Sequence, residues 1–404
     1  MGVLRLELRR SPLPWWLLGM TAVGLGWLAA QSGDWTLVWP RAAAAAQATV
    51  VFLGPMAATA AAVAAGRVHE NTAYGLTHGA ARPGWQQSLA QLASTCLYVV
   101  VPYLIVALVA LSRPLFGGIA PGGPWPSYLL LGAVALLVCT GAGHAVGRLV
   151  AGPAGPAAVA VATFLGLGVL ASDSPFNLTV VSGAPDRELS PGAVGVRLLL
   201  AAAVLCFAVV AARPAARAAV GRFRFLLPGA SCAVALLAVV GMGQLGFPQV
   251  DRDPVAPVCA KGAPQVCVWP ENEAHLDHTA RLARKVSKAA GGAVPVPRRF
   301  YEHGLHTSDD GESYGFRLGV GDAGAMDGMI GETMPTPPAC RVTDAGIDRL
   351  ASAGESLEEW LFARALGEHS EMPAVSEVLH KSEKEQRRWA RTQVEAITDA
   401  PCRD

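Results

Sequence analysis

The sequence predicts a membrane α-helical bundle of about seven transmembrane helices, N-terminus inside, followed by a mainly helical α+β extracytoplasmic domain. Three observations predict it. The first is Leu226–Phe247, twenty-two positions without a charged residue, where about 20 apolar residues suffice to cross a roughly 30 Å hydrocarbon core. The second is a break in charge at that stretch. Up to Phe247 the chain has fourteen arginines, no lysine and six acidic residues, and from Pro248 onward it has eighteen basic and twenty-five acidic residues. A near-neutral total of +1 therefore hides a basic apolar half and an acidic polar half. The third is the placement of the eight cysteines, four in proposed spans and four beyond them.

At the start, Arg5, Glu7, Arg9 and Arg10 alternate with Val3, Leu4, Leu6 and Leu8, a pattern suited to a short surface helix against lipid headgroups. The apolar run that follows is too long, and the Ala29-Ala30-Gln31 context too poor, for a cleaved signal peptide. Spans are expected at about 14–30, 43–65, 89–111, 127–147, 154–172, 193–212 and 226–247. The fourth and fifth are separated by Gly152-Pro153-Ala154-Gly155-Pro156, which suits a helical hairpin.

With the N-terminus inside, the cytoplasmic segments carry Arg5, Arg9, Arg10, Arg67, Arg82, Arg148, Arg213, Arg217, Arg222 and Arg224, and the outer ones carry Arg41, Arg113, Arg187 and Arg197. That asymmetry follows the positive-inside rule. Seven crossings put residues 248–404 outside. The domains expected are a six-span permease-like unit at 1–225, a seventh transmembrane helix at 226–247 and an extracytoplasmic domain at 248–404.

Cys96, Cys139, Cys206 and Cys232 fall in spans and read as small apolar fillers. Cys259, Cys267, Cys340 and Cys402 lie in the polar half, an even number that fits two disulfides in an oxidising space. Of the three pairings, Cys259–Cys267 and Cys340–Cys402 are favoured. They close loops whose chain entropy is worth about 2.5 and about 4 kcal/mol.

Within the polar half, Val255–Trp269 reads as a hairpin, and Glu271–Ala290 as a helix with Leu276, Ala280, Ala283, Val286 and Ala290 near one face. Ser313–Val320 alternates as a strand, and Gly321–Pro338 is loop-like. Ser356–Glu359 is a capping-box pattern opening a helix that ends by Gly367, and Pro373 starts a long final helix.

The chemistry-bearing candidates are few. The segment between the second and third spans carries Arg67, Glu70, Tyr74, Gly75, Arg82, Pro83 and Trp85. At about 22 residues it is long for a connection in a compact bundle, and it can form a short amphipathic helix ended by Pro83. The basic amphipathic N-terminus, two spans, and a loop with Arg67-x-x-Glu70, Gly75 and Arg82-Pro83 together resemble permease subunits of ABC-2-type exporters. The resemblance covers about residues 1–225. It implies that Arg67, Glu70, Tyr74, Gly75, Arg82 and Pro83 form a coupling helix against a separate ATP-binding-cassette ATPase. It also implies a second permease copy or paralogue. Permeases of that family have Gly-Thr where this chain has Gly75-Leu76, and they commonly end after six spans.

The chain has no G-x-x-x-x-G-K-[ST] phosphate loop. No cofactor is expected in it; ATP and Mg belong to the partner. The other expected partner is the lipid bilayer, and nucleic acid is not one. His144 is the clearest ionisable residue within a span and is a transport candidate on that ground. Six of the nine histidines lie in the polar half. His275 and His278 share a helix face and can hold one metal ion, but H-E-x-x-H and Gly-x-Ser-x-Gly are absent. The function expected is thus a non-enzymatic permease subunit whose outer domain recognises or gates cargo. The alternatives are a membrane-anchored extracytoplasmic receptor or assembly protein without transport, and an outer-face metal-dependent hydrolase.

Overall fold

The computed structural model describes residues 13–31, 35, 38–70, 84–116, 122–123, 125–150, 152, 154–169, 174–179, 183–184, 186–211, 226–253, 255–307, 313–319, 321–367 and 369–402. The chain forms two compact units, one of Met1–Gly118 with Gly123–Val250, the other of Ile119–Gly122 with Asp251–Asp404.

The first unit is a helical bundle. Its helices are α1 (Leu13–Ala30), α2 (Trp39–Ala48), α3 (Val50–Glu70), α4 (Gly84–Phe116), α5 (Pro126–Leu149), α6 (Ala154–Val169), α7 (Pro191–Val210) and α8 (Leu226–Leu245). Thr49 alone separates α2 from α3, and its helical backbone lets them run on as one apolar stretch. Among the described residues five helices are long and apolar enough to cross a membrane: Trp39–Gly66, Trp85–Phe116, Pro126–Leu149, Pro191–Val210 and Leu226–Leu245. By length and composition the protein is a multi-pass membrane protein. The apolar helices Pro14–Ala30 and Ala154–Gly168 are shorter.

Helices α3 and α5 run parallel in a regular register. Gly54 faces Cys139, Gly143 faces Ala58 and Gly147 faces Ala62. At Gly143 a Cβ would stand 2.0 Å from the Ala58 carbonyl oxygen, so only glycine permits this approach, as in the small-residue interfaces of membrane helices. Met20, Val50, Leu53, Ala57, Ala58, Ala62, Val99, Tyr103, Leu136 and Leu167 fill the core around that seam. Helix α8 meets the bundle mainly through Ala238 and Met242 against Leu200 of α7. Its Leu227, Leu236 and Leu237 are exposed, as a helix facing lipid requires.

Helix α6 has 16 residues, about 24 Å at 1.5 Å per residue, short of a full crossing. After it the backbone at 174–179 is irregular, and Arg197 closes it. This fully buried side chain donates from Nε to Asn177 O (2.8 Å), from one terminal nitrogen to Pro175 O (2.9 Å) and from the other to Ala193 O (3.0 Å). Buried carbonyls outside regular helix need donors from within the protein, and the guanidinium supplies them. The sequence reading put Arg197 in an outer loop; it sits two turns inside α7. At the same end, Ser190 N–H donates to Pro248 O (2.9 Å), and β1 (Arg187–Leu189) pairs with β2 (Gln249–Asp251).

The second unit is α+β. Strands β3 (Val258–Cys259) and β4 (Gln265–Val268) are antiparallel, and β4 pairs in parallel with β5 (Arg299–Tyr301). A 3₁₀ helix (Pro270–His275) leads into α9 (Leu276–Ala290), which ends on Gly291 in the left-handed region (φ 55°). Strands β6 (His306–Thr307) and β7 (Ser313–Tyr314) form a small hairpin. Helices α10 (Gly321–Thr333), α11 (Asp344–Leu366), α12 (Pro373–Leu379) and α13 (Glu383–Thr398) follow. Val266 and Val268, the Ala280–Ala283–Val286 face of α9, Phe300, Phe316, Met326, Met329, Trp360 and Ile397 share one core. Disulfides join Cys259 to Cys267 and Cys340 to Cys402, with Cα atoms 4.1 and 5.8 Å apart.

Four elements differ from the sequence reading. The strand expected over Ser313–Val320 is confined to Ser313–Tyr314, followed only by an isolated bridge from Phe316 to Glu302. The loop-like stretch after Gly321 is largely helical, because Met326, Met329 and Ile330 bury one face of α10, and that packing outweighs the low helix propensity of its glycines. Helix α11 is N-capped by Thr343, whose Oγ1 accepts from Gly346 N–H (3.1 Å), so Ser356 and Glu359 lie within the helix and not at its start. The single final helix is two, because Ser382 and Glu385 form a capping box that opens α13.

Candidate functional site

In the bundle, three polar side chains converge at one end. α3 finishes at Glu70 and α4 starts at Gly84; the segment joining them leaves from this end. One turn into α4, Ser88 is buried, and its Oγ lies 3.1 Å from Nε2 of His144, a fully buried residue of α5. Arg148, one turn further along α5, donates to Ser88 Oγ and, from the same nitrogen, to Val209 O in the last turn of α7 (2.8 Å). Helix α7 stops after that turn, and its terminal carbonyls lack intrahelical partners. Arg148 therefore ties the first turn of one helix to the last turn of another. Leu92, Ala145 and Ala208 pack as one apolar cluster at this level. Among the buried side-chain atoms of the described residues, His144 Nδ1 has no hydrogen-bond partner.

Two of the six predicted coupling residues reach this end of α3. Arg67 and Glu70 close that helix, and their side chains lie outside the described residues, as do Tyr74, Gly75, Arg82 and Pro83 entirely. Sequence reasoning singled out His144 and missed Ser88, whose small polar side chain gives no signal on an apolar helix.

In the second unit the polar centre is Glu302. It is 2% exposed. Its Oε2 accepts from Trp269 N–H (3.0 Å) and its Oε1 from Asn272 Nδ2 (2.6 Å). Trp269 Nε1 donates to His303 O (3.1 Å), and the Arg252 guanidinium stacks 4.0 Å from the indole centroid while pairing with Glu271. Burial pushes the Glu302 carboxyl up to about 8, the Trp269 and Asn272 donors pull the other way, the Glu271 carboxylate adds to the rise and Arg252 opposes it. Glu332 on α10 is also pushed up to about 8, chiefly by burial, with a backbone bond from Phe316 opposing.

His275 ends the 3₁₀ helix, whereas His278 Nε2 meets Asp322 Oδ1 of α10 (2.7 Å) and its Nδ1 meets Arg281 (3.2 Å). Among the described residues no group of three or more His, Cys, Asp or Glu is placed to hold a metal ion. The Glu302 knot holds the start of the 3₁₀ helix against the strand end; its groups bond one another.

Residues 266–400 match the family model of a domain of unknown function, DUF7224. No curated protein and no solved structure matches the chain.

Proposed function

We propose that this protein is the membrane subunit of an ATP-binding-cassette exporter, driven by a separate ATPase, with an outer domain that recognises or gates cargo. The observation that carries the reading is the Ser88–Arg148–Val209 junction. It lies where the segment 71–83 joins α3 to α4, and it links the turn just after that segment to α5 and α7. A push on that segment by a partner would be passed to two further helices through a charge-assisted contact.

In this reading the chain crosses the bilayer seven times, α1 and α6 included. The arginine-rich end is cytoplasmic, and residues 251–404 lie outside, where the two disulfides persist. ATP and Mg belong to the partner, and the assembly contains a second copy of the chain or a paralogue. Cargo is apolar or amphipathic, since the spans offer few charges.

The test is purification of the tagged full chain from native membranes in mild detergent. An ATP-binding-cassette ATPase should accompany it and be lost from Glu70→Arg. Recovery of an intact chain with no ATPase overturns the proposal. One observation favours a second reading, a membrane-anchored receptor or assembly protein: the family match covers the polar half alone, so that domain has an identity apart from the bundle. A partner that binds the outer domain of the Glu70→Arg variant unchanged, with no ATPase in the wild-type complex, would select it.

A further inference from the structure

The Arg148–Ser88–His144 chain fixes more than helix ends. Ser88 Oγ accepts from Arg148, a group that only donates. Its own O–H then needs an acceptor, and among the described residues His144 Nε2, 3.1 Å away, is the one within reach. Nε2 thus carries a lone pair and no proton. An imidazole with a bare Nε2 has its proton on Nδ1. That Nδ1 is buried, and no acceptor faces it among the described residues.

We propose that His144 is a hydrogen-bond donor site built into the bundle: a neutral imidazole, held in its Nδ1–H form by Ser88 and Arg148, that takes an uncharged oxygen acceptor. Ser88 and Arg148 are positioning residues in this scheme. The Arg148 guanidinium is engaged by Ser88 Oγ and Val209 O, and Leu92, Ala145 and Ala208 pack beside the cluster, so what His144 offers an incoming oxygen is a neutral N–H, and the acceptor it suits is uncharged. One neutral N–H does not offset the desolvation of an anion there. A metal ion is excluded as the ligand of this nitrogen, since a protonated Nδ1 has no lone pair to give. The oxygen comes from a water molecule or from an amphipathic molecule entering the bundle. The proposal deepens the exporter reading only in the second case; the proton position stands without any ATPase.

The test uses the full chain, labelled with nitrogen-15 histidine, in phosphatidylcholine nanodiscs at neutral pH. Long-range proton–nitrogen correlation spectra distinguish the two neutral forms and the imidazolium, and His144→Gln identifies the relevant signals by their loss. The expected wild-type spectrum shows a protonated Nδ1 and a bare Nε2. Ser88→Ala should move the proton partly or wholly to Nε2, and Ser88→Thr, which keeps the hydroxyl, should restore the wild-type pattern. A purely structural Ser88 would leave the pattern unmoved in all three. An imidazolium or an Nε2–H form in the wild-type protein overturns the proposal, as does an unchanged pattern in Ser88→Ala. Cross-relaxation from the Nδ1 proton to water assigns water as the occupant; cross-relaxation to phosphatidylcholine protons assigns an amphipathic oxygen. A resolved Nδ1 proton showing neither has no acceptor, and the site is then refuted. Failure to co-purify an ATPase changes none of these spectra, so the two proposals fail separately.

Discussion

Replacing Gly143 by alanine tests the packing of the bundle at its tightest point. The added methyl would stand 2.0 Å from Ala58 O, 2.6 Å from its carbonyl carbon and 2.7 Å from its Cα, where ordinary contact begins near 3.4 Å. These are backbone atoms in the middle of a helix, so no rotamer change relieves them. Helix α3 must move by more than 1 Å relative to α5, opening the seam that Leu53, Ala57, Ala62 and Leu136 fill. Overpacking of this kind costs about 1–3 kcal/mol, and an unyielding backbone contact belongs at the upper end. Alanine otherwise favours a helix over glycine by about 1 kcal/mol, which provides the control. At Gly26, Gly166 and Gly168 a Cβ meets nothing within 4 Å, so alanine there should leave thermal stability unchanged or raised. The assay is a melting curve of the intact chain in one detergent. Gly143→Ala should melt several degrees lower than wild type, and Gly147→Ala, which meets Ala62 O at 2.3 Å, should follow it. If Gly143→Ala melts like Gly26→Ala, the parallel α3–α5 contact is wrong.

Two further predictions concern the polar half. Glu302 has a folded-state value of about 8 against an ordinary 4.5, so the folded form holds a proton that the unfolded form releases between those values. Its contribution is therefore fully present below about pH 4.5 and lost as pH rises through about 8, by at most about 5 kcal/mol. Hydrogen exchange at Trp269 and its neighbours should quicken over that range, after correction for intrinsic pH dependence, and Glu302→Gln should flatten the trend; a trend of the same slope in that variant would show another group to be responsible. Cys402→Ser removes a cross-link spanning 62 residues and should destabilise the second unit by about 4 kcal/mol. Denaturant unfolding followed through Trp360 and Trp389 fluorescence measures this, and a midpoint equal to that of the wild-type protein would refute it.

The parts of the fold legible in the sequence are those set by one-dimensional physics. Apolar runs mark the helices of the first unit because hydrocarbon demands length and apolarity together. The face of α9 shows through its spacing, and Ala280, Ala283 and Val286 are indeed buried. What escaped depends on partners distant in the chain. A Cβ on Gly328 in α10 would stand 2.8 Å from Phe316 Cα, a close approach no local pattern announces. The break before α13 was written in the sequence as Ser382-x-x-Glu385, but the apolar positions on either side read as one face and concealed it. Ser88 was invisible for a different reason, since its role needs Arg148 and His144 from another helix. The predicted coupling residues divide in the same way: Arg67 and Glu70 extend a recognisable helix, and Tyr74, Gly75, Arg82 and Pro83 lie outside the described residues.

Arg148 and Arg197 show what the arginines of an apolar bundle can do besides orient it. Each directs donors at backbone carbonyls: Arg148 at Val209 O, Arg197 at Asn177 O, Pro175 O and Ala193 O. In hydrocarbon such a carbonyl, left alone, costs several kcal/mol, and a guanidinium with several donors in a fixed fork serves more than one at once. The consequence differs by place. At Arg197 two of the carbonyls belong to the irregular segment at 174–179 and the third to its own helix, so the result is a local closure after α6. At Arg148 they belong to a different helix from the serine it also binds, so moving either helix strains the other. That difference makes the half-buried Arg148, and not the fully buried Arg197, the residue through which a force applied at the α3–α4 connection would spread.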